Sequence, residues 1–169
     1  MLKKILLSLL FILILIQFVR PAKNEGDDQT NAVHKVYPIP DDLNKTLAVA
    51  CYDCHSNKTR YPWYNNIQPV AWYLNNHVTD GKRRLNFSDF TKRRIAIQNK
   101  KFEEIIEMID KGAMPLSSYT LIHRDAILND DQKQSITSWA KTQMDTLKAR
   151  YPADSLIMPK RPGGPPPGN

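Results

Sequence analysis

Cys51, Cys54 and His55 are the residues whose types and spacing carry the most chemistry. They stand in the run Cys51-Tyr52-Asp53-Cys54-His55 and include both cysteines of the 169-residue chain. On a helix, positions i, i+3 and i+4 share one face. Two thiols so placed reach the two vinyl groups on one edge of a porphyrin, while the next side chain offers its imidazole to the iron as proximal ligand. This is the C-x-x-C-H pattern of covalent haem attachment, one haem c per chain. Two other readings compete. A thioredoxin-like dithiol calls for a βαβ context, which the sequence lacks, and a zinc site would have to complete its ligands from scattered histidines. Neither gives His55 a reason to follow Cys54. Cysteines three apart also do not make the framework of a structural disulfide.

A haem iron has a second axial position, and its occupant separates electron carriage from reactions with small molecules. Met114 is the leading candidate. It lies in Lys111-Gly112-Ala113-Met114-Pro115, where a glycine stop and a proline restriction hold a thioether on a loop. His77 is the alternative sixth ligand, near the end of a helix where it could equally cap carbonyls. His123, four residues after Tyr119, reads as a hydrogen-bonded loop residue or a propionate partner, and His34 has no supporting pattern.

The elements that must position these groups read as helices throughout, so the fold class expected is all-α. Asp41 or Asp42 caps a helix through Leu43, Leu47 and Ala50 into Cys51. Ser56 to Gln68, rich in Asn, Tyr and Trp, reads as an ordered loop. Pro69 opens a second helix with Gly81 as its stop, and Ser88 caps a third helical region. Phe102, Ile105, Ile106 and Ile109 mark one buried helical face that ends at Gly112. Asn129 with Gln132 three residues on resembles a capping box, and Ile136, Trp139, Ala140, Met144 and Leu147 form an apolar stripe before Pro152. Trp63, Trp72 and Trp139 read as packing groups in the core or haem pocket.

Met1-Leu-Lys-Lys and the apolar run Ile5 to Val19 form a charged and then a hydrophobic leader. Fifteen helical residues reach roughly 22 Å, short of a hydrocarbon core of about 30 Å. Counting from Met1, with Lys3 and Lys4 snorkelling, gives a near-adequate span, and no small-x-small cleavage pattern follows. The expectation is a retained transmembrane anchor over residues 1–22, with a cleaved signal peptide as the alternative. A polar tether over 23–33, a haem domain over 34–151 and a Pro/Gly-rich tail over 152–169 complete the organisation. The chain carries 24 basic and 17 acidic residues. Without the five cations that flank the leader or sit in the tail, only +2 remains, which argues against nucleic-acid binding. Lys82, Arg83, Arg84, Lys92, Arg93, Arg94, Lys100 and Lys101 form a local basic stretch, read as a solvated helix surface or as cations for a partner or for cofactor carboxylates.

Several stretches resemble the bacterial haem-binding domain family, itself similar to small class I c-type cytochromes. They are Cys51 to Asn57, Tyr61-Pro62-Trp63-Tyr64, Trp72, His77-Val78, Gly81, Leu85-Asn86-Phe87-Ser88, Met114-Pro115, Tyr119, His123 and Trp139, within roughly His34 to Lys148. The resemblance implies haem c on Cys51 and Cys54, proximal ligation by His55 and a helical cytochrome c-like wrap. The long Ser56–Ser88 stretch departs from the ordinary cytochrome layout. The expected protein is a membrane-tethered monohaem carrier of single electrons, not an enzyme. Its haem domain sits in the periplasm, and its partners are redox proteins of the cell envelope. The alternative is a peroxidase-like enzyme, or a gas or redox sensor, with an open sixth position.

Overall fold

Seven α-helices and short 3-10 turns build residues 1–158, which the computed structural model describes. They are α1 (Leu2–Ile16), α2 (Asp41–Ala50), α3 (Tyr52–His55), α4 (Val70–Arg84), α5 (Ile95–Asp110), α6 (Ser117–Thr120) and α7 (Asp130–Arg150). No strand forms among the described residues, and extended pairing is limited to the isolated bridges Glu25–Lys58 and Asn31–Asp89. The all-α expectation is met.

The core lies between α5 and α7. Phe102, Ile105 and Ile109 face Ile136, Trp139, Ala140 and Leu147, as the apolar spacing of both segments requires. Phe102 is fully buried and meets Tyr37, Phe90 and Trp139 with ring centroids 4.9–5.4 Å apart. The Trp139 indole N–H donates to the Pro38 carbonyl at 2.9 Å, so its one polar atom is satisfied inside the core. α7 opens with the expected capping box between Asn129 and Gln132 and ends before Pro152. Gly112 ends α5 with φ at +62°, a left-handed conformation that a Cβ disfavours.

Other expectations at helix ends are corrected. Pro40 precedes α2, with Asp41 and Asp42 inside its first turn, where their charge meets the helix dipole and they make no side-chain cap. Ser88 caps no helix, because α5 begins at Ile95; its hydroxyl accepts from the Asn57 N–H and the Gln29 side-chain amide. Gly81 does not stop α4, which continues to Arg84.

The leader also differs from its expectation. α1 spans 15 residues, and no helix of the described residues is long and apolar enough to cross a membrane. It ends where the Gln17 amide donates to Leu13 O and Gln68 O while accepting from the Gln68 N–H. The following segment does not lift the domain away as a free tether. Asn24 bonds Tyr61, Ser56, Thr59 and Lys82, and Glu25 bridges Lys58, so this stretch lies along the domain. At the other end Leu156 packs against the core, and residues 159–169 of the expected tail lie outside the described residues.

Candidate functional site

The motif occupies the corner between α2 and α3. α2 runs into Cys51, whose carbonyl accepts from the N–H groups of Cys54 and His55 at 3.2 and 3.0 Å, so the helical turn puts both thiols and the imidazole where the spacing requires. Both cysteines are free, not paired in a disulfide. Burial pushes the Cys51 thiol up to about 12 and the Cys54 thiol to about 11. Such thiols are neutral at physiological pH, opposite to the lowered pKa of a redox dithiol. No group of three or more His, Cys, Asp or Glu able to hold a metal ion occurs among the described residues.

The His55 ring is fixed from behind by backbone. Its Nδ1 lies 3.0 Å from both the Gly81 and the Leu85 carbonyl oxygens. Two acceptors at Nδ1 require the proton there, which leaves the Nε2 lone pair for a metal. Burial lowers the pKa of His55, which favours the neutral imidazole that a ligand must be. The approach of α4 that delivers these carbonyls depends on Gly81: a Cβ there would sit 2.5 Å from the Cys54 carbonyl oxygen. The segment that follows α4 is tied to the motif as well, through the Phe87 N–H, which donates to His55 O at 2.8 Å.

Cys51, His55 and Met114 line one cavity of about 380 Å³, with apolar walls from Leu47, Phe87, Ile105 and Ile109. A second cavity of about 290 Å³ shares Cys51, His55, Arg84 and Met114 with it and adds Cys54 and His77. The structure therefore brings Cys51, Cys54, His55, Met114 and His77 together. These residues fit a haem: two free cysteines, an imidazole whose Nδ1 is bonded so that Nε2 is left over, and a methionine line one cavity, with apolar walls beside it. Arg84, Lys100 and Lys101 also line the larger cavity, so part of the basic stretch faces the site. Lys100 and Lys101 pair with Glu103 and Glu104.

Of the other histidines, only His77 lines a cavity with His55. His77 Nδ1 donates to the Tyr73 carbonyl one turn back at 2.9 Å. His123 Nε2 lies 2.8 Å from the Tyr64 hydroxyl and its ring stacks on Tyr119, outside both cavities that contain His55. His34 lines a separate hollow. Of the tryptophans, only Trp139 is core; Trp63 is 75% exposed, and the Trp72 indole N–H donates to Val19 O.

Sequence reasoning did not find Asp53 and Tyr119 as a pair. The Asp53 carboxylate is buried and accepts from the Arg60 N–H and guanidinium and, at 2.8 Å, from the Tyr119 hydroxyl. The same hydroxyl also reaches Val49 O. Tyr119 sits on α6, five residues past Met114, so this cluster clips the Met114 loop to the motif. An Asp between two such cysteines is the only signal in the sequence, and nothing near it names its partner.

Over residues 11–142 the chain matches a family described as haem-binding domain. No curated protein and no solved structure matches it.

Proposed function

The chain belongs to the haem-binding domain family, and from that premise we propose that it is a monohaem c-type cytochrome that carries single electrons in the cell envelope. The observation that carries this reading is the His55 ring, half-buried beside two free cysteines with Nδ1 committed to two carbonyls. Bound haem supplies a one-electron iron couple. Cys51 and Cys54 would hold it covalently as thioethers, each thiol adding its S–H across one vinyl group. His55 would offer its Nε2 lone pair to the iron, and the carbonyls of Gly81 and Leu85 hold the ring and would raise its basicity. Met114, on the loop held by Tyr119, would be the second iron ligand, and a thioether there would favour the reduced state relative to a second imidazole. Arg84, Lys100 and Lys101 would face the propionates, and Phe87, Ile105 and Ile109 would keep water from the site. Thioether attachment takes place outside the cytoplasm, which puts the domain on the outer face of the cytoplasmic membrane, with α1 as its tether or export signal.

His77 is retained as the alternative sixth ligand because it lines the same cavity as Met114. The test is a ferric absorption spectrum of protein matured with a haem-attachment system, together with its mass. The expected result is one haem per chain, covalently bound, with a low-spin spectrum and a sulfur-to-iron charge-transfer band that Met114→Ala abolishes and His77→Ala leaves. Loss of the low-spin state in His77→Ala alone assigns the ligand to His77. High-spin iron in the parent, with immediate binding of added ligand, overturns the carrier reading in favour of an enzyme or sensor.

A further inference from the structure

The domain carries an exposed apolar rim beside the point where the leader joins it. Trp63, Ile67, Tyr73, Leu121 and Ile122 are between 45% and 75% exposed. They belong to segments that touch one another. Trp63 packs edge-on against Tyr64 with centroids 5.8 Å apart, Tyr64 bonds His123 next to Ile122, and Tyr73 and Ile122 line one cavity of about 350 Å³. The leader is fastened to this same region. Besides the Gln17–Gln68 exchange, Val19 O accepts from the Gln68 side-chain amide at 2.6 Å and from the Trp72 indole at 3.0 Å. Gln68 follows Ile67 directly, and Trp72 precedes Tyr73.

That attachment says what covers the rim. No residue of α1 is buried against the domain, so its apolar side chains need a non-aqueous medium. At 15 residues the helix is about 22 Å long, against a hydrocarbon core of about 30 Å. A short apolar helix meets that mismatch by carrying its flanking residues down to the interface. Here the flank, Gln17 to Val19, is bonded to the domain, so residues beside Gln68 and Trp72 descend with it. Trp and Tyr at the rim are the side chains that prefer the headgroup boundary.

We propose that the Trp63, Ile67, Tyr73, Leu121 and Ile122 rim is a membrane-contact face, seated in the headgroup region of the bilayer that holds α1. The proposal rests on the tethered reading above and adds the orientation of the domain, with the His123 side turned to the lipid.

The test uses the full-length chain, expressed alongside a haem-attachment system, with phosphatidylcholine–phosphatidylglycerol vesicles whose acyl chains carry a photoactivated diazirine, followed by peptide mapping. Carbene adducts are expected on the Trp63–Ile67 and Leu121–Ile122 peptides as well as on α1. In the double variant Trp63→Ser, Ile122→Ser the rim adducts should fall several-fold while those on α1 and the haem absorption stay unchanged. Adducts confined to α1, or none at all, overturn the membrane face. The haem spectrum of the same sample reports separately: a normal spectrum with α1-only labelling defeats this proposal and leaves the cytochrome reading, whereas colourless protein with rim adducts does the reverse.

Discussion

Gly81→Ala tests whether the site is built by the close approach of α4 to the motif. The new Cβ would lie 2.5 Å from Cys54 O, 3.0 Å from Cys54 Cβ and 3.1 Å from its carbonyl carbon. Ordinary contact begins near 3.4 Å, so the backbones must part by about 0.9 Å. Neither side is a flexible tip that can swing away. A retreat of that size takes the 3.0 Å contact between His55 Nδ1 and Gly81 O beyond hydrogen-bond reach and strains the one to Leu85 O. Overpacking costs about 1–3 kcal/mol. The weakened hydrogen bond adds roughly 1 kcal/mol, and the better helix propensity of Ala returns about the same amount. The expected loss is about 2 kcal/mol, read as a fall of roughly half a molar in the guanidinium midpoint at a slope of about 4 kcal/mol per molar. A weaker bond at Nδ1 also makes the imidazole a poorer donor, so the reduction potential should rise. Gly112→Ala is the control for the proximal contact: it meets nothing within 4 Å but sits at φ +62°, so it should cost about 1 kcal/mol without a Cβ clash against the motif. If Gly81→Ala matches the parent in both midpoint and potential, the close approach does not hold His55, and the account of the proximal side fails.

Tyr119→Phe removes the hydroxyl that donates to Asp53 at 2.8 Å and should cost about 1.5–3 kcal/mol. Because it frees the loop after Met114, the charge-transfer band should also fade at a lower temperature than in the parent; an unchanged band would show that α6 does not hold the ligand loop. Phe102→Ala empties the centre of the α5–α7 core and should lower stability by about 3–5 kcal/mol in denaturant titration, with the haem still attached. Tyr37 is buried, and its phenol is raised from 10.0 to about 12, chiefly by burial. Its stabilising contribution is therefore complete below pH 10 and is lost as pH climbs through about 12, to the extent of roughly 2–3 kcal/mol. Denaturant midpoints between pH 9 and 12 should fall less steeply in Tyr37→Phe than in the parent; parallel curves would assign the alkaline loss to other groups.

What was legible in the sequence was local. Cys51, Cys54 and His55 declare themselves because one helical turn brings them together, and the same applies to the capping box of α7 and the apolar face of α5. Met114 was placed by its Gly and Pro neighbours, and the fold brings it into the cavity with His55. The misread residues answer to partners far along the chain. Gly81 looked like a helix stop because glycine weakens helices, yet its reason is the Cys54 backbone, 27 positions earlier. Ser88 looked like a cap, but its hydroxyl is used by Asn57 and Gln29. The groups that hold His55 are carbonyls, which every residue owns, so no side-chain pattern could have marked Gly81 and Leu85.

These long-range ties share one arrangement. The C-terminal end of α4 reaches the motif at the His55 ring through Gly81 and Leu85, and α6 reaches it through Tyr119 and Asp53 next to the Met114 loop. Two elements that flank the cleft are thus each pinned to the same four-residue helix, not to one another. α3 is too short to be stable alone, so its geometry is imposed by those two clamps, with α2 and the core behind. A change at either clamp should therefore reach the other clamp through α3. Gly81→Ala combined with Tyr119→Phe should depart from additivity, with a coupling between 0.5 and about 3 kcal/mol, the range seen for residues in one network. Strict additivity in denaturant titration would mean that α3 is held rigidly by α2 and the core, and that the two clamps act independently.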